Sequence, residues 1–328
     1  MNNRIAGIGM AVPKNKVTSD ALEKELGISS GYSESYNGVK ERYFVTDETV
    51  SSMGAEALTN ALDDAGLELS DIDMLIGAGV SFDYALPHRA VSVLAEMTNG
   101  NNFNIPAIDV NNSCLSFVSA FEVASNLLQN SQYKRIAIID SEISSKNLNP
   151  KDEKTATLFG DAAVAVILEK TTDNKSGLIH SFTQSFTEGA DFSIIKGGGA
   201  KYHIKDYPYD PVLYSFQMHG KNLLKLAGKR IPEFLQSFFE GTDVNPEEIK
   251  LVIPHQASKL GLRMFEKISP FKKEQIFLNL ETFGNCISAS IPLALYEAIH
   301  NRMIQKGDLC MLTGTAAGFS IGGILIRY

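Results

Sequence analysis

The chain has 328 residues, of which 44% are hydrophobic and 21% are charged. This composition is typical of globular proteins and excludes a disordered or collagen-like chain, while the length predicts two domains or one duplicated domain. A formal net charge of −8 argues against nucleic acid or an anionic membrane as a partner, because both are bound through basic surfaces.

Apolar patterning predicts strands and helices in alternation, and Gly66 is a natural C-cap for the helix before it. The predicted strands cover residues 5–12, 72–80, 135–139 and 162–168, and the predicted helices cover residues 50–65 and 115–128. This order predicts an α/β architecture whose parallel sheets are covered by helices on both faces. Residues 192–213 interrupt the alternation with glycines, tyrosines and two prolines, which predicts an insertion lying over a site.

A weak internal repeat relates the two halves of the chain. The acid-led apolar strand at residues 70–76 resembles residues 247–253, and Cys114 and Cys286 each precede a helix of small residues and a further strand. The repeat predicts duplication of one α/β unit. We expect the boundary between residues 172 and 173, giving halves at 1–172 and 173–328.

The three cysteines are too few, and odd in number, for a disulfide framework. We therefore expect three reduced thiols in a cytoplasmic protein. No CxxC or HExxH pair is present, so the sequence predicts no metal site. No apolar stretch reaches the roughly 18 residues that a membrane helix needs, so no membrane span is predicted either.

Five residues are candidates for chemistry or for the core. Cys114 falls at a strand-to-helix turn, where unpaired N–H groups and the helix dipole favour the nucleophilic thiolate, with core packing as the alternative. His255 directly follows a predicted strand, where α/β proteins collect binding groups, although a solvent-facing imidazole fits equally well. Asn285 opens a helix of small residues and could be an ordinary N-cap. Cys310 is predicted to be a core residue, and Cys286 could take either role.

Three ordered motifs surround these candidates. They are Asp-Val-x-x-x-Cys-x-x-Phe at residues 109–117, Pro-His-Gln-Ala at residues 254–257, and Gly-Asn followed by small residues and Pro at residues 284–292. Together they resemble the signatures of the β-ketoacyl-acyl-carrier-protein synthase III group of condensing enzymes, and shorter matches extend over essentially the whole chain. The resemblance implies a thiolase-like fold, which is a duplicated five-layer αβαβα arrangement of two mixed sheets with buried helices.

The resemblance also implies a reaction without a cofactor. Cys114 would accept an acyl group as a thioester, and His255 and Asn285 would bind the carbonyl of a malonyl-type thioester as it loses CO₂. The resulting carbanion would attack the acyl group to give a β-ketoacyl product, in fatty-acid or specialised polyketide-like biosynthesis. The backbone N–H groups of Cys114 and Ala317 would form the oxyanion hole for the acyl thioester.

Two other functions remain open from the sequence. An acyltransferase of the same fold could pass the Cys114 acyl group to an alcohol or amine without decarboxylation, although the presence of Asn285 argues against this. A non-catalytic partner subunit is also conceivable, but packing does not require Cys114, His255 and Asn285 together.

The sequence departs from the family pattern where coenzyme A would bind. Tyr32 and Tyr36 stand in place of the usual Trp and Arg, and Glu153 stands in place of a second Arg. Losing two cations near a nucleotide phosphate should weaken coenzyme A binding. We therefore expect the primer to arrive on an acyl carrier protein or as an unusual thioester, although acyl-CoA is also a substrate of this family. These changes suggest a specialised member of the family.

Basic residues at helical spacing suggest where an acidic carrier protein would dock. Lys259, Arg263 and Lys267 share one predicted helix face, and Lys225 lies on another basic stripe, although an ordinary solvated face is the alternative. By resemblance, the protein is a homodimer, or a heterodimer with a related subunit, in which a segment of the partner closes the acyl pocket. Leu86 falls in that segment, where its size would leave room for a medium or branched acyl chain.

Overall fold

The computed structural model describes residues 1–129, 132–172 and 175–328. The elements of its first part are β1 Asn3–Ala11, β2 Asn15–Thr18, α1 Ser19–Leu26, β3 Glu41–Phe44, α2 Val50–Ala65, β4 Met74–Ala78, α3 Arg89–Met97, β5 Ala107–Val110, α4 Ser116–Leu127, β6 Arg135–Glu142, α5 Glu153–Ala156 and β7 Ala162–Lys170. The remaining elements are β8 Gly177–Ser185, β9 Ser193–Ile194, β10 Gln217–Met218, α6 Gly220–Glu240, β11 Leu251–Pro254, α7 Lys259–Ile268, α8 Leu280–Phe283, α9 Ser290–His300, β12 Leu309–Ala316 and β13 Ser320–Arg327.

The strands and helices predicted in the first half are confirmed, with small differences at their ends. Helix α2 has the predicted bounds and ends at Gly66, whose φ of 65° is the left-handed conformation expected of a glycine C-cap. The prediction of parallel sheets is wrong, because β7 runs antiparallel to both of its neighbours, β1 and β6. The mixed sheets implied by the family resemblance are present instead. Apolar periodicity identifies strands, whereas their direction depends on tertiary pairing.

Alternating side chains of the two sheets divide the core into separate layers. In β6, Ala137 and Ile139 pack beneath α2 and α3, whereas Ile136 and Ile138 face the buried helices α4 and α9. Strand β11 sends Ile253 into that same central layer and Val252 to the outer layer under α6 and α7. The order is therefore helices, sheet, helices, sheet and helices, which is the expected five-layer arrangement.

The two sheets repeat one strand order. The first is β1-β7-β6-β4-β5 and the second, read in the same sense, is β8-β13-β12-β11. In each, two antiparallel pairs are followed by a parallel pair, β6 with β4 and β12 with β11. This shared order supports the proposed division into halves, although the boundary at residue 173 lies outside the described residues.

The predicted insertion is mostly exposed and irregular. It holds β9, which pairs with β10 just beyond its end. The cavity described below is lined by residues before 160 and by Met218 and later residues, but by none of residues 192–213, so the insertion contributes nothing to its wall. Among the described residues, no helix combines the length and the apolar character needed to cross a bilayer.

Candidate active site

Cys114 lies on the turn that connects β5 to α4. Ser113 before it has a φ of 48°, a left-handed conformation that is uncommon for a residue with a side chain and often marks a functional turn. The hydroxyl of Ser116 fixes the turn, because it accepts a hydrogen bond from the amide of Asn112 at 2.9 Å and donates one to the carbonyl of Ser113 at 2.6 Å. The chain therefore holds Cys114 in one defined position at the start of a buried helix.

The thiol of Cys114 is neutral in this environment. Burial raises its pKa to about 12, and the nearby carboxyl groups of Glu142 and Asp140 add to that rise. The backbone N–H groups of Ala317 and of Cys114 itself lie near the sulfur and oppose this rise in pKa. The prediction of a resting thiolate is therefore wrong, because desolvation and the nearby carboxyl groups outweigh the backbone N–H groups at the helix start. Cys114 must lose its proton during the reaction rather than before it.

His255 directly follows β11 and is buried. Its backbone N–H donates to the carbonyl of Thr313 at 2.8 Å. Its side chain packs against Gly314, where an added Cβ would lie 2.6 Å from the Cβ of His255. Burial lowers the pKa of His255 to about 4, and its Nδ1 has no hydrogen-bond partner among the described residues. The imidazole is therefore neutral at physiological pH and can act as a hydrogen-bond donor without carrying charge.

The lowered pKa of His255 predicts a specific loss of stability in acid. The folded chain keeps the ring neutral, whereas the unfolded chain protonates it below a pKa of about 6.5, so stability falls as the pH drops from about 6.5 towards 4. Between pH 7.5 and 4.5 this single group should cost about 2–3 kcal/mol of unfolding free energy. Urea unfolding at both pH values should show that the variant His255→Asn loses correspondingly less stability than the wild type. An equal loss in both proteins would contradict the prediction.

Asn285 follows α8, on a turn whose backbone is hydrogen-bonded to residues 158–160. Its backbone N–H donates to the carbonyl of Leu158 and its carbonyl accepts from the amide of Gly160. Its side-chain Oδ1 accepts from the amide of Ile287 at 2.8 Å, which leaves Nδ2 facing the carbonyl of Ala257 at 3.1 Å. Asn285 is therefore not the N-cap of α9. Its amide donor is directed towards the segment that carries His255.

The three candidate residues meet around the carboxyl end of β12. His255 contacts Thr313 and Gly314 in this strand, and the backbone N–H of Ala317, just past its end, lies near enough to the sulfur of Cys114 to lower its pKa. Asn285 joins the group through Ala257, two residues beyond His255. These contacts bring a thiol, a neutral imidazole, an amide donor and two backbone N–H groups to one place. Such a set can carry an acyl group and stabilise an oxyanion.

A cavity of about 580 Å³ leads to His255 from the surface. Its outer wall includes Tyr36, Asp152, Lys154 and Lys221. The inner wall is mainly apolar and lies between α6, α7 and the second sheet, formed by residues that include Ala227, Ile231, Phe234, Leu262 and Phe265. Cys114 and Asn285 are not among the residues that line it. The cavity therefore connects the exposed residues at its mouth with the imidazole.

The substituted residues come together at the mouth of this cavity. Tyr32 stacks on Tyr36, with ring centroids 5.3 Å apart and planes at 12°. Burial raises the pKa of the Tyr32 hydroxyl, and Tyr36 and the carboxylates of Glu153 and Asp152 raise it further, which places these groups side by side. The mouth therefore presents aromatic rings and acidic groups next to its two lysines.

The predicted docking residues differ in their surroundings. Lys225, Arg263 and Lys267 are exposed on α6 and α7, which pack against each other. The ammonium group of Lys259 instead donates to the carbonyls of Glu34 and Ser35, both at 2.9 Å, and so ties down the helical turn that carries Tyr36. A docking surface would therefore consist of the first three residues.

Leu86 lies on the surface and does not reach the cavity of its own chain. It is 87% exposed, and its neighbours Phe82 and Tyr84 are 63% and 62% exposed. An apolar segment this exposed is typical of a surface that another chain covers. A role in the acyl pocket of a second copy remains a prediction.

Sequence reasoning missed a buried polar group behind Cys114. Asp140 and Glu142, at the end of β6, are both 0% exposed. The hydroxyl of Ser288 contacts both carboxyl groups, and the charge of Arg89 lies near Asp140. A signal was available, because two acids directly follow the apolar run of a predicted central strand. Buried acids rarely occur without a partner or a function.

Comparison with known proteins shows similarity along the whole chain. The family descriptions "3-Oxoacyl-[acyl-carrier-protein (ACP)] synthase III" and its C-terminal counterpart match residues 108–186 and 239–328. Beta-ketoacyl-[acyl-carrier-protein] synthase III of Aquifex aeolicus is 30% identical over 100% of both chains, and that of Clostridium perfringens is 32% identical over 99% of both. The crystal structure of the Aquifex aeolicus 3-oxoacyl-[acyl-carrier-protein] synthase III aligns with a TM-score of 0.88 at 28% identity, covering 99% of this chain and 100% of that one.

Proposed function

The chain belongs to the 3-oxoacyl-[acyl-carrier-protein] synthase III family of acyltransferases, and from that premise we propose that Cys114, His255 and Asn285 carry out a decarboxylative Claisen condensation. The observation that carries the proposal is their convergence around the carboxyl end of β12. A packing role does not account for a strained turn at the thiol, an unpaired buried imidazole nitrogen and an amide directed to the same place.

In the first half-reaction, the sulfur of Cys114 attacks the carbonyl of an acyl thioester. The N–H groups of Ala317 and Cys114, which lie near the sulfur, are the donors proposed for the developing oxyanion. The acyl–sulfur bond of the donor breaks, and the thiol proton of Cys114 leaves with the donor thiolate. Burial keeps the resting thiol protonated, so Cys114 gives up its proton only when an acyl donor is bound.

In the second half-reaction, a malonyl-type thioester binds with its carbonyl oxygen between His255 and Asn285. The carboxylate leaves as CO₂, and its bonding electrons form an enolate that the two N–H donors stabilise. The enolate carbon attacks the acyl group, and the Cys114 thiolate that is expelled takes up one proton. A neutral imidazole suits this step because it donates a hydrogen bond without transferring a proton to the carbanion.

The mouth of the cavity supports a carrier-bound primer over acyl-CoA. Lys154 and Lys221 are available for the single phosphate of a phosphopantetheine arm, whereas Asp152 and Glu153 lie where the further phosphates of coenzyme A would be repelled. Acyl carrier protein is therefore the proposed donor. A homodimer and a cytoplasmic location complete the proposal, supported by the exposed apolar segment around Leu86 and by three free thiols among the described residues.

The decisive experiment incubates the purified enzyme with a panel of acyl carriers and then with malonyl carrier. Intact-mass spectrometry should show one acyl group on Cys114, and the second addition should release CO₂ and form a β-ketoacyl carrier. An acylated cysteine without CO₂ release would indicate simple acyl transfer and overturn the proposal. A protein that never becomes acylated would indicate a non-catalytic subunit.

The substitution Glu153→Arg should improve the use of acyl-CoA. A guanidinium at the mouth can pair with a nucleotide phosphate, so we expect KM for the acyl-CoA primer to fall about 3–10-fold while KM for the acyl carrier changes less. Steady-state loading assays with both donors measure this. The control is Glu240→Arg, because Glu240 lies at the end of α6 opposite to Gly220, which lines the cavity. A similar gain in both variants would show that only net charge matters.

Charge reversal on α6 and α7 should weaken the use of carrier-bound substrates. With Lys225→Glu and Arg263→Glu, we expect KM for the acyl carrier to rise about 3–10-fold with kcat nearly constant, and the effect to shrink in high salt. Lys134→Glu is the matched control, because Lys134 is exposed and precedes β6, at the opposite end of that strand from Asp140 and Glu142. Unchanged KM in the double variant would identify these helix faces as ordinary solvated surface.

A further inference from the structure

Asp140, Ser288 and Glu142 form a buried chain of oxygens that the reaction described above does not use. The hydroxyl of Ser288 lies 2.7 Å from Oδ1 of Asp140 and 2.5 Å from Oε1 of Glu142. Ser288 belongs to the turn that carries Asn285, whereas both acids lie at the end of β6 in the other sheet. The chain therefore joins the two halves of the molecule directly behind the site.

The number of protons in this chain can be counted from its contacts. Ser288 has one hydroxyl proton and can donate it to only one of the two acids. If both acids were ionised, the second close contact would place two acceptor oxygens together with no hydrogen between them. One acid must therefore carry a proton, because two unpaired acceptors at this distance in a buried site repel each other.

The surroundings identify Asp140 as the protonated member. Glu142 already accepts hydrogen bonds from the amides of Val80 and Ser81 and from the Ser81 hydroxyl, which is a suitable environment for an ionised carboxylate. Asp140 accepts no N–H bond among the described residues, and its Oδ2 is buried without a partner. Burial raises the pKa of Asp140 well above its usual value, and the charge of Glu142 raises it further.

The charges that face Asp140 come from several elements. Arg89 of α3, which is bonded to the carbonyls of Ala78 and Ser81, opposes the rise in the pKa of Asp140. The thiols of Cys114 and Cys286 lie near enough for the charge of Asp140 to raise their pKa values. The flanking strands place only Ala78 and Val164 beside it. With Asp140 neutral, the charges of Glu142 and Arg89 cancel behind the nucleophile.

Ser288 connects this chain to Asn285. Ile287, between them, has a φ of 52°, which a β-branched residue adopts only when its surroundings force it. The amide of Ile287 fixes Oδ1 of Asn285. We propose that Asp140 is a neutral carboxylic acid whose proton, donated to Ser288, completes the chain Asp140–Ser288–Glu142, holds this strained turn in place and so positions Asn285 for decarboxylation.

Loss of that proton should impair the second half-reaction more than the first. An ionised Asp140 can no longer donate to Ser288, so one of the two hydrogen bonds that hold the turn is lost, and a second negative charge then lies behind Cys114. Because Asn285 acts only on the malonyl-type thioester, condensation should decline at alkaline pH while acyl loading persists. Asp140 and Ser288 act as positioning residues. The predicted effect on the condensation rate rests on the proposed function.

The test combines a spectroscopic readout with pH profiles. Infrared spectra should show the C=O band of a buried protonated carboxyl group in the wild type at neutral pH and its absence in Asp140→Asn. The condensation rate of Asp140→Asn, expressed relative to its own rate at neutral pH, should not decline at alkaline pH. The exposed control Asp63→Asn should show the same alkaline decline as the wild type. Ser288→Ala should slow condensation about tenfold and loading less than twofold.

The readouts separate the failure of this inference from the failure of the proposed function. The infrared band requires no catalysis, so a wild type that lacks it, or an Asp140→Asn variant that keeps it, overturns the inference whatever the enzyme does. An alkaline decline that persists in Asp140→Asn also overturns it. If the wild type loads acyl groups but never releases CO₂, the proposed function fails while the band still decides whether Asp140 carries a proton.

Discussion

Replacing Asn285 and replacing Cys114 by alanine should separate the two half-reactions. With Asn285→Ala, we expect the rate of CO₂ release to fall about 10²–10³-fold, the usual cost of losing one oxyanion donor, while acyl loading stays within twofold of the wild type. With Cys114→Ala, we expect no acyl adduct at all, because the neighbouring thiol of Cys286 is buried and donates to the carbonyl of Phe283. Slow release of CO₂ from malonyl carrier should persist, since His255 and Asn285 remain in place.

Intact-mass spectrometry measures the loading step, and trapping of labelled CO₂ measures the decarboxylation step, in the same samples. The matched controls are Asn222→Ala at the cavity mouth and Cys310→Ala within β12, and both should preserve both steps. A wild-type rate of CO₂ release from Asn285→Ala would remove Asn285 from the second half-reaction. An acyl adduct on Cys114→Ala would show that another group is the nucleophile.

The sequence predicted the positions of the three site residues because their local signals do not depend on distant partners. A cysteine before a buried helix, a histidine after a strand and an asparagine before small residues each lie at an element boundary, and the chain folds those boundaries to one end of the sheets. The roles proposed for them come from the family resemblance. The order of the layers followed from the same resemblance, whereas apolar patterning alone predicted the wrong strand direction.

The electrostatics of the site could not be predicted in the same way. The thiol of Cys114 was expected to be acidified by its helix, but its pKa is raised by burial and by acids on β6, which comes after it in the chain. The bond between Asp140 and Ser288 joins residues 148 positions apart. Lys259 was assigned to a docking face by its spacing, yet it bonds to carbonyls of a turn more than 200 residues before it. Each of these features depends on tertiary contacts that no local pattern contains.

The second large effect should come from Asp161. This residue is buried like Asp140, but its carboxylate is surrounded by hydrogen-bond donors. Its carboxylate accepts hydrogen bonds from the amides of Val45, Ser144 and Ser145 and from both serine hydroxyls, at 2.5 to 3.0 Å. These bonds lower its pKa and oppose the rise that burial causes. The carboxylate joins the segment after β3 to the segment after β6, next to the Gly160 amide that holds Asn285.

Asp161→Asn should therefore destabilise the fold strongly, whereas Asp140→Asn should not. An amide NH₂ at position 161 would face N–H donors in a buried site, and we expect the unfolding free energy to fall by about 3 kcal/mol. At position 140 the amide can donate to Ser288 as the proposed acid does, so the loss should stay within about 1 kcal/mol. Urea unfolding followed by circular dichroism compares the same substitution at two buried sites. Equal losses would mean that the two aspartates share one protonation state, and the hydrogen-bond count that distinguishes them would then be wrong.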